Sequence, residues 1–158
     1  MKLRLVVVGR PARLLADAIA EYEARVARYW SFDVQEVREE RAGRNMSAIR
    51  VREAEGVRIL ERIPRELELV ALTREGEALN STGFAALLDA AALESRPGLA
   101  FAIGGAHGLG DAVLGAARRR LRLSSFTLPH DLARLCLVEQ LYRAGTILRG
   151  EPYHKGTV

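Results

Sequence analysis

Two nearly continuous apolar runs, each closed by glycine, constrain this chain more than any other feature. Leu3-Arg4-Leu5-Val6-Val7-Val8-Gly9 reads as a parallel strand buried on both sides, and Leu99-Ala100-Phe101-Ala102-Ile103-Gly104-Gly105 reads as a further strand, the fourth in chain order. Such strands need helices above and below them. The sequence between and after them supplies candidates. From Pro11 to about Tyr29, Leu14, Leu15, Ala18, Ile19, Tyr22 and Val26 fall on one helical stripe, and Phe32 to Val37 alternate as a half-exposed strand does. Ser47 suits the N-cap of a second helix holding Ile49, Ala54, Val57, Leu60 and Ile63 inside before Pro64. A third strand is expected over 67–73, a third helix over 81–95, a fourth helix over 111–120, a short fifth strand over 121–128 and a last helix over 130–149. Strand and helix alternating at this spacing predict an α/β fold, a mostly parallel sheet with helices on both faces. At 158 residues, one domain spanning 1–158 is expected.

No apolar run approaches the roughly 20 residues needed to cross a bilayer, so no membrane partner is expected. The basic and apolar start is too short for a secretory leader, and Gly9-Arg10-Pro11 follows where small residues would mark cleavage. A single cysteine, Cys136, cannot form an internal disulfide. Cytoplasm is the expected compartment. Charge is uneven along the chain: residues 118–158 carry eight Lys/Arg against three acids, leaving residues 1–117 at −1 of the overall +4. That quarter is either the footprint of a polyanion binder or a set of solvated arginine-rich faces.

In open parallel sheets ligands bind at the carboxyl ends of the strands. Three stretches meet there on this reading: Leu72 to Gly76, Ile103 to Gly108 with Gly104 and Gly105, and Leu123 to His130. The usual cradles do not match. A phosphate loop needs Gly-Lys-Ser/Thr, and the dinucleotide fingerprint would have Val113 where its third small residue belongs. His107, His130 and His154 stand too far apart for a metal site, and no Gly-x-Ser-x-Gly elbow occurs.

The run Ile103-Gly104-Gly105-Ala106-His107-Gly108-Leu109, followed by Thr127-Leu128-Pro129-His130, Glu139-Gln140-Leu141-Tyr142-Arg143-Ala144 and Pro152-Tyr153-His154, resembles the bacterial ribosomal RNA large-subunit methyltransferase H family of the SPOUT class. The resemblance covers almost the whole chain. It implies an S-adenosylmethionine enzyme with a trefoil-knotted carboxyl end, a homodimer, and a methyl placed on N3 of a pseudouridine in 23S rRNA of the large subunit. On the same ground the cofactor positions are Leu72, Gly104 and the segment Leu123, Ser124, Ser125, Phe126, Thr127 and Leu128, the three stretches already singled out by their strand-end position. Gly156, Thr157 and Val158 run past the place where relatives commonly stop.

Pseudouridine N3 is an imide nitrogen that must lose its proton before it attacks a sulfonium methyl. With the resemblance counted, His154 is the candidate general base, Tyr153 a stacking or hydrogen-bonding face, and Arg143 the cation for charge developing on the base. Taken without it, Tyr153 and His154 read first as a frayed end. The last helix has apolar residues on more than one face, which fits burial against a second copy. A non-enzymatic RNA-binding module is the rival reading, and a nicotinamide oxidoreductase a further one.

Overall fold

The computed structural model describes residues 1–94 and 96–155. Five parallel strands, β1 (Lys2–Val8), β2 (Ser31–Val37), β3 (Glu68–Ala78), β4 (Gly98–Ile103) and β5 (Arg119–Arg122), form one sheet in the order β2-β1-β4-β3-β5. The helices are α1 (Arg13–Val26), α2 (Ala48–Glu61), α3 (Ser81–Leu93), α4 (Asp111–Ala116) and α5 (His130–Leu148), with a 3₁₀ turn at Pro152–His154. No helix among the described residues is long and apolar enough to cross a membrane.

The pleat explains the layering. In β1, Leu3, Leu5 and Val7 point into a core shared with α1, α3 and α5, while Val6 and Val8 point into a second core built with residues of α2 and α4. Every residue of β4 is buried. The expected arrangement, helices on both faces of a parallel sheet, is therefore the observed one.

Several boundaries differ from expectation. Arg119 and Arg120, expected to end the fourth helix, belong to β5, and of the expected fifth strand Leu121 and Arg122 are in β5 while the chain from Leu123 is irregular. Backbone pairing with β3 outweighs helix propensity there. β3 itself continues past Leu72: Leu121 lies opposite both Leu72 and Glu77, so Thr73 to Gly76 bulge out of the ladder. The third helix ends at Leu93, and Ser95, included in its expected span, lies outside the described residues. Leu14 and Ala18 of α1 face outward, and so do Ile49 and Val57 of α2, whose buried positions are Val51, Glu55, Gly56 and Ile59.

Candidate functional site

Strand order makes three loops neighbours at the carboxyl edge of the sheet, because β3 lies between β4 and β5. The loop after β4 is drawn tight. Gly108 adopts φ +77°, and its N–H donates to the Gly105 carbonyl at 3.0 Å. A side chain at Gly104 would place its Cβ 2.5 Å from the Gly108 carbonyl group, so closure of this loop requires glycine there. In the loop after Leu72, Thr73 Oγ1 is buried without a hydrogen-bond partner among the described residues. In the third loop Ser124 Oγ accepts the Phe126 N–H at 2.9 Å, whereas the N–H groups of Ser124, Ser125, Thr127 and Leu128 make no hydrogen bond among the described residues. An orphaned hydroxyl and a run of open backbone groups fit a small ligand with several hydrogen-bonding atoms, such as a nucleoside-bearing methyl donor.

Behind the glycine loop lies a group that helical periodicity does not reveal. Glu55 of α2 is 2% exposed; its Oε1 accepts the Glu40 N–H at 3.1 Å and its Oε2 has no partner among the described residues. Both oxygens lie about 3 Å from the position a Cβ of Gly105 would occupy. Burial, first among the causes, raises the Glu55 pKa above the usual carboxylate range. A raised acid pKa means that the folded state holds its proton more tightly than the unfolded chain does. Stability contributed by protonated Glu55 is therefore full at acid pH and declines as pH rises through the unfolded and then the folded pKa. Glu55→Gln keeps the shape without the titration, and its unfolding midpoint is expected to fall less than that of the parent between pH 5 and pH 8. Parallel pH profiles of the two proteins in chemical denaturation would disprove this.

The turn after α5 packs back against that helix, beside Arg143. Tyr29 donates to Glu151 Oε2 at 2.5 Å, which returns the chain after α5 toward the end of α1. Burial, then that hydrogen bond, pushes the Tyr29 hydroxyl up to about 12. Tyr153 stacks edge-on against Tyr142 with ring centroids 4.7 Å apart, and its hydroxyl lies 3.1 Å from Glu139 Oε1 and 3.2 Å from the Tyr22 hydroxyl. The Arg143 guanidinium sits 5.0 Å above the Tyr153 ring and donates to Glu139 at 2.6 Å. His154 is half-buried in the adjoining 3₁₀ turn. Burial raises the Tyr153 pKa, followed by its hydrogen bond to Tyr22, so the phenol remains a proton donor. Gly156, Thr157 and Val158 lie outside the described residues.

A cavity of about 600 Å³ joins the two regions. It is lined by Leu123, the first residue of the third loop, and by Tyr22 and Glu139, which hold Tyr153. Leu72, Gly104 and Gly105 do not line it, so the loops and the tail share a border rather than one enclosed pocket. Glu139, the acid on which Arg143 and Tyr153 converge, was not singled out in the sequence. The signal was present as Glu139 and Arg143 four residues apart on one helix.

Four of the eight basic residues of the last quarter are paired with acids. Arg118 faces Glu68, Arg119 pairs with Glu77, Arg143 with Glu139, and buried Arg134 with both Glu23 and Glu36. No group of three or more His, Cys, Asp or Glu side chains is placed to hold a metal ion among the described residues.

The family model described as "Predicted SPOUT methyltransferase" matches residues 1–154. A ribosomal RNA large subunit methyltransferase H from Gemmatimonas aurantiaca is 53% identical over 98% of this chain and 100% of its own length. Proteins of the same name from Syntrophotalea carbinolica and Listeria monocytogenes are 45% and 42% identical, each over 98% of this chain and 99% and 100% of their own lengths. With strand-end loops open to a ligand, and a match that runs through the tail to His154, the chain belongs to the SPOUT methyltransferase family.

Proposed function

We propose that this protein is an S-adenosylmethionine-dependent methyltransferase that modifies N3 of a pseudouridine in 23S rRNA, working as a homodimer with the knotted carboxyl end that the family implies. The observation that carries the reading is the full-length match to relatives named for ribosomal RNA large-subunit methylation.

When bound, the cofactor supplies an electrophilic methyl on sulfur. The chain holds it through the Thr73 hydroxyl and the open backbone groups of Ser124 to Leu128, with Leu72, Gly104 and Gly105 forming the adjoining wall. Transfer needs the base nitrogen in line with the methyl at roughly 3 Å, so orientation of the nucleotide is the larger task for the protein. His154 takes the N3 proton, Tyr153 donates a hydrogen bond to the base, and Arg143 balances the charge left on it. Glu139 fixes the directions of Arg143 and Tyr153. The open apolar face between α1 and α5, with Ala18, Leu135 and Cys136 lining the cavity and Leu14 and Phe126 exposed, is covered by a second copy. The tail of one subunit then serves the loops of the other.

Incubation with methyl-labelled S-adenosylmethionine and ribosomes or free 23S rRNA, with and without prior pseudouridylation, tests the reading. Label on a single pseudouridine, located by mass spectrometry, is the expected result. No label with any of these substrates overturns it. In light scattering the native species is expected at about twice the 17.4 kDa of one chain, and a monomer mass removes the shared site.

A further inference from the structure

Four of the seven arginines in the carboxyl quarter, Arg118, Arg119, Arg134 and Arg143, lie against Glu68, Glu77, Glu139, or Glu23 and Glu36. A different segment keeps its charge. Residues 38–52, the loop after β2 and the first turn of α2, carry Arg38, Arg41, Arg44, Arg50 and Arg52 against Glu39 and Glu40. Arg58 holds Glu40 in an ion pair and also donates to the Arg38 carbonyl at 2.9 Å, leaving Glu39 as the single unengaged acid of the segment among the described residues. Arg41, Arg44 and Arg50 are exposed, and their guanidinium groups make no hydrogen bond or ion pair among the described residues.

This segment is joined to the methyl-donor end of the sheet. The Glu40 N–H bonds Glu55, whose carboxylate lies against Gly105, and the Arg52 carbonyl lies 2.9 Å from where a Cβ of Gly110 would sit. Both ends of the glycine loop therefore rest on α2 beside the arginines. We infer that Arg41, Arg44 and Arg50 form the phosphate-gripping part of the RNA surface, clamping the nucleic-acid backbone next to the modified base. The inference rests on the rRNA reading above and adds the place of docking. Phosphates suit these residues because unpaired, solvated guanidinium groups release bound counterions on contact, without sequence preference. Arginines already paired with carboxylates have less to gain.

The test compares two variants of equal charge change. Arg41→Gln/Arg44→Gln/Arg50→Gln alters the segment. Arg28→Gln/Arg62→Gln/Arg65→Gln alters three exposed arginines at the ends of α1 and α2 remote from the carboxyl edge. Affinity for 23S rRNA and for assembled ribosomes is read across a salt series, cofactor affinity by calorimetry, and methylation by KM and kcat. The first variant is expected to lose about tenfold or more in RNA affinity near 100 mM salt, with a salt slope smaller by about 3, one unit per lost phosphate contact. KM for ribosomes rises in step, while kcat and cofactor affinity stay within about twofold. The second variant is expected to follow the parent. Equal losses in both variants, or an unchanged slope in the first, overturn the inference while leaving the methyltransferase reading standing. So does a first variant that keeps its RNA affinity and instead loses binding to phosphatidylglycerol vesicles. A parent that binds no ribosomal RNA overturns both readings.

Discussion

Truncation after Glu151 is expected to lower methylation by at least about 100-fold, the lower end of what general acid–base groups contribute, with cofactor affinity and dimer mass unchanged. The cut removes Tyr153 and His154 but spares the Tyr29–Glu151 hydrogen bond, so α1 and α5 keep their junction. Glu139 and Arg143 also keep their ion pair. What disappears is the group set proposed to meet the base, which on that reading matters when base and cofactor are both present. A loss confined to kcat supports the assignment. A truncated enzyme working near the parental rate places the catalytic groups elsewhere, and Arg143→Ala, expected to act in the same direction, would then be similarly mild.

Gly104→Val is expected to weaken cofactor binding by roughly 100-fold or more, about 2.7 kcal/mol, while the sheet remains folded. The cause is internal to the loop. A Cβ at this position meets the Gly108 carbonyl at 2.5 Å and the Leu109 nitrogen at 2.9 Å, and both are backbone atoms that cannot turn aside. The loop must open, and the surface it offers a ligand changes with it. β4 is packed up to Ile103 and gives the fold no reason to follow. Gly105→Ala should be milder, since its Cβ would face the Glu55 carboxylate about 3 Å away, and a side chain can shift. Calorimetry on both variants ranks them; parental affinity in Gly104→Val, or a larger loss in Gly105→Ala, removes the loop from the binding site.

The layering was legible because burial on both sides leaves an unmistakable record: Val6, Val7 and Val8 have no polar residue between them, and neither do the residues from Leu99 to Ile103. Strand-end position and the resemblance pointed to the same three loops, and those loops are neighbours in the structure. The second helix was misread for a physical reason. Its buried face contains Glu55 and Gly56, so periodicity favoured exposed Ile49 and Val57 instead, and the carboxyl behind the glycine loop was hidden by its own polarity. A sequence counts each arginine as free. Which of them a carboxylate holds depends on contacts such as Arg134 with Glu23 and Glu36, about a hundred residues apart in the chain.

The anchoring of Glu151 has a metric consequence. Its N–H bonds the carbonyl of fully buried Thr146 at 2.9 Å, and its carboxylate accepts from Tyr29, so this residue is a fixed pivot from which the following turn is hung. The four residues from Pro152 to Lys155 reach about 14 Å when fully extended, and about 8 Å in a 3₁₀ conformation. His154 lies one residue short of that limit. If His154 acts across a dimer as proposed, the methyl donor must sit within one short arm's length of a pivot on the neighbouring subunit, and a pairing of two copies that holds pivot and donor farther apart would leave both sites idle.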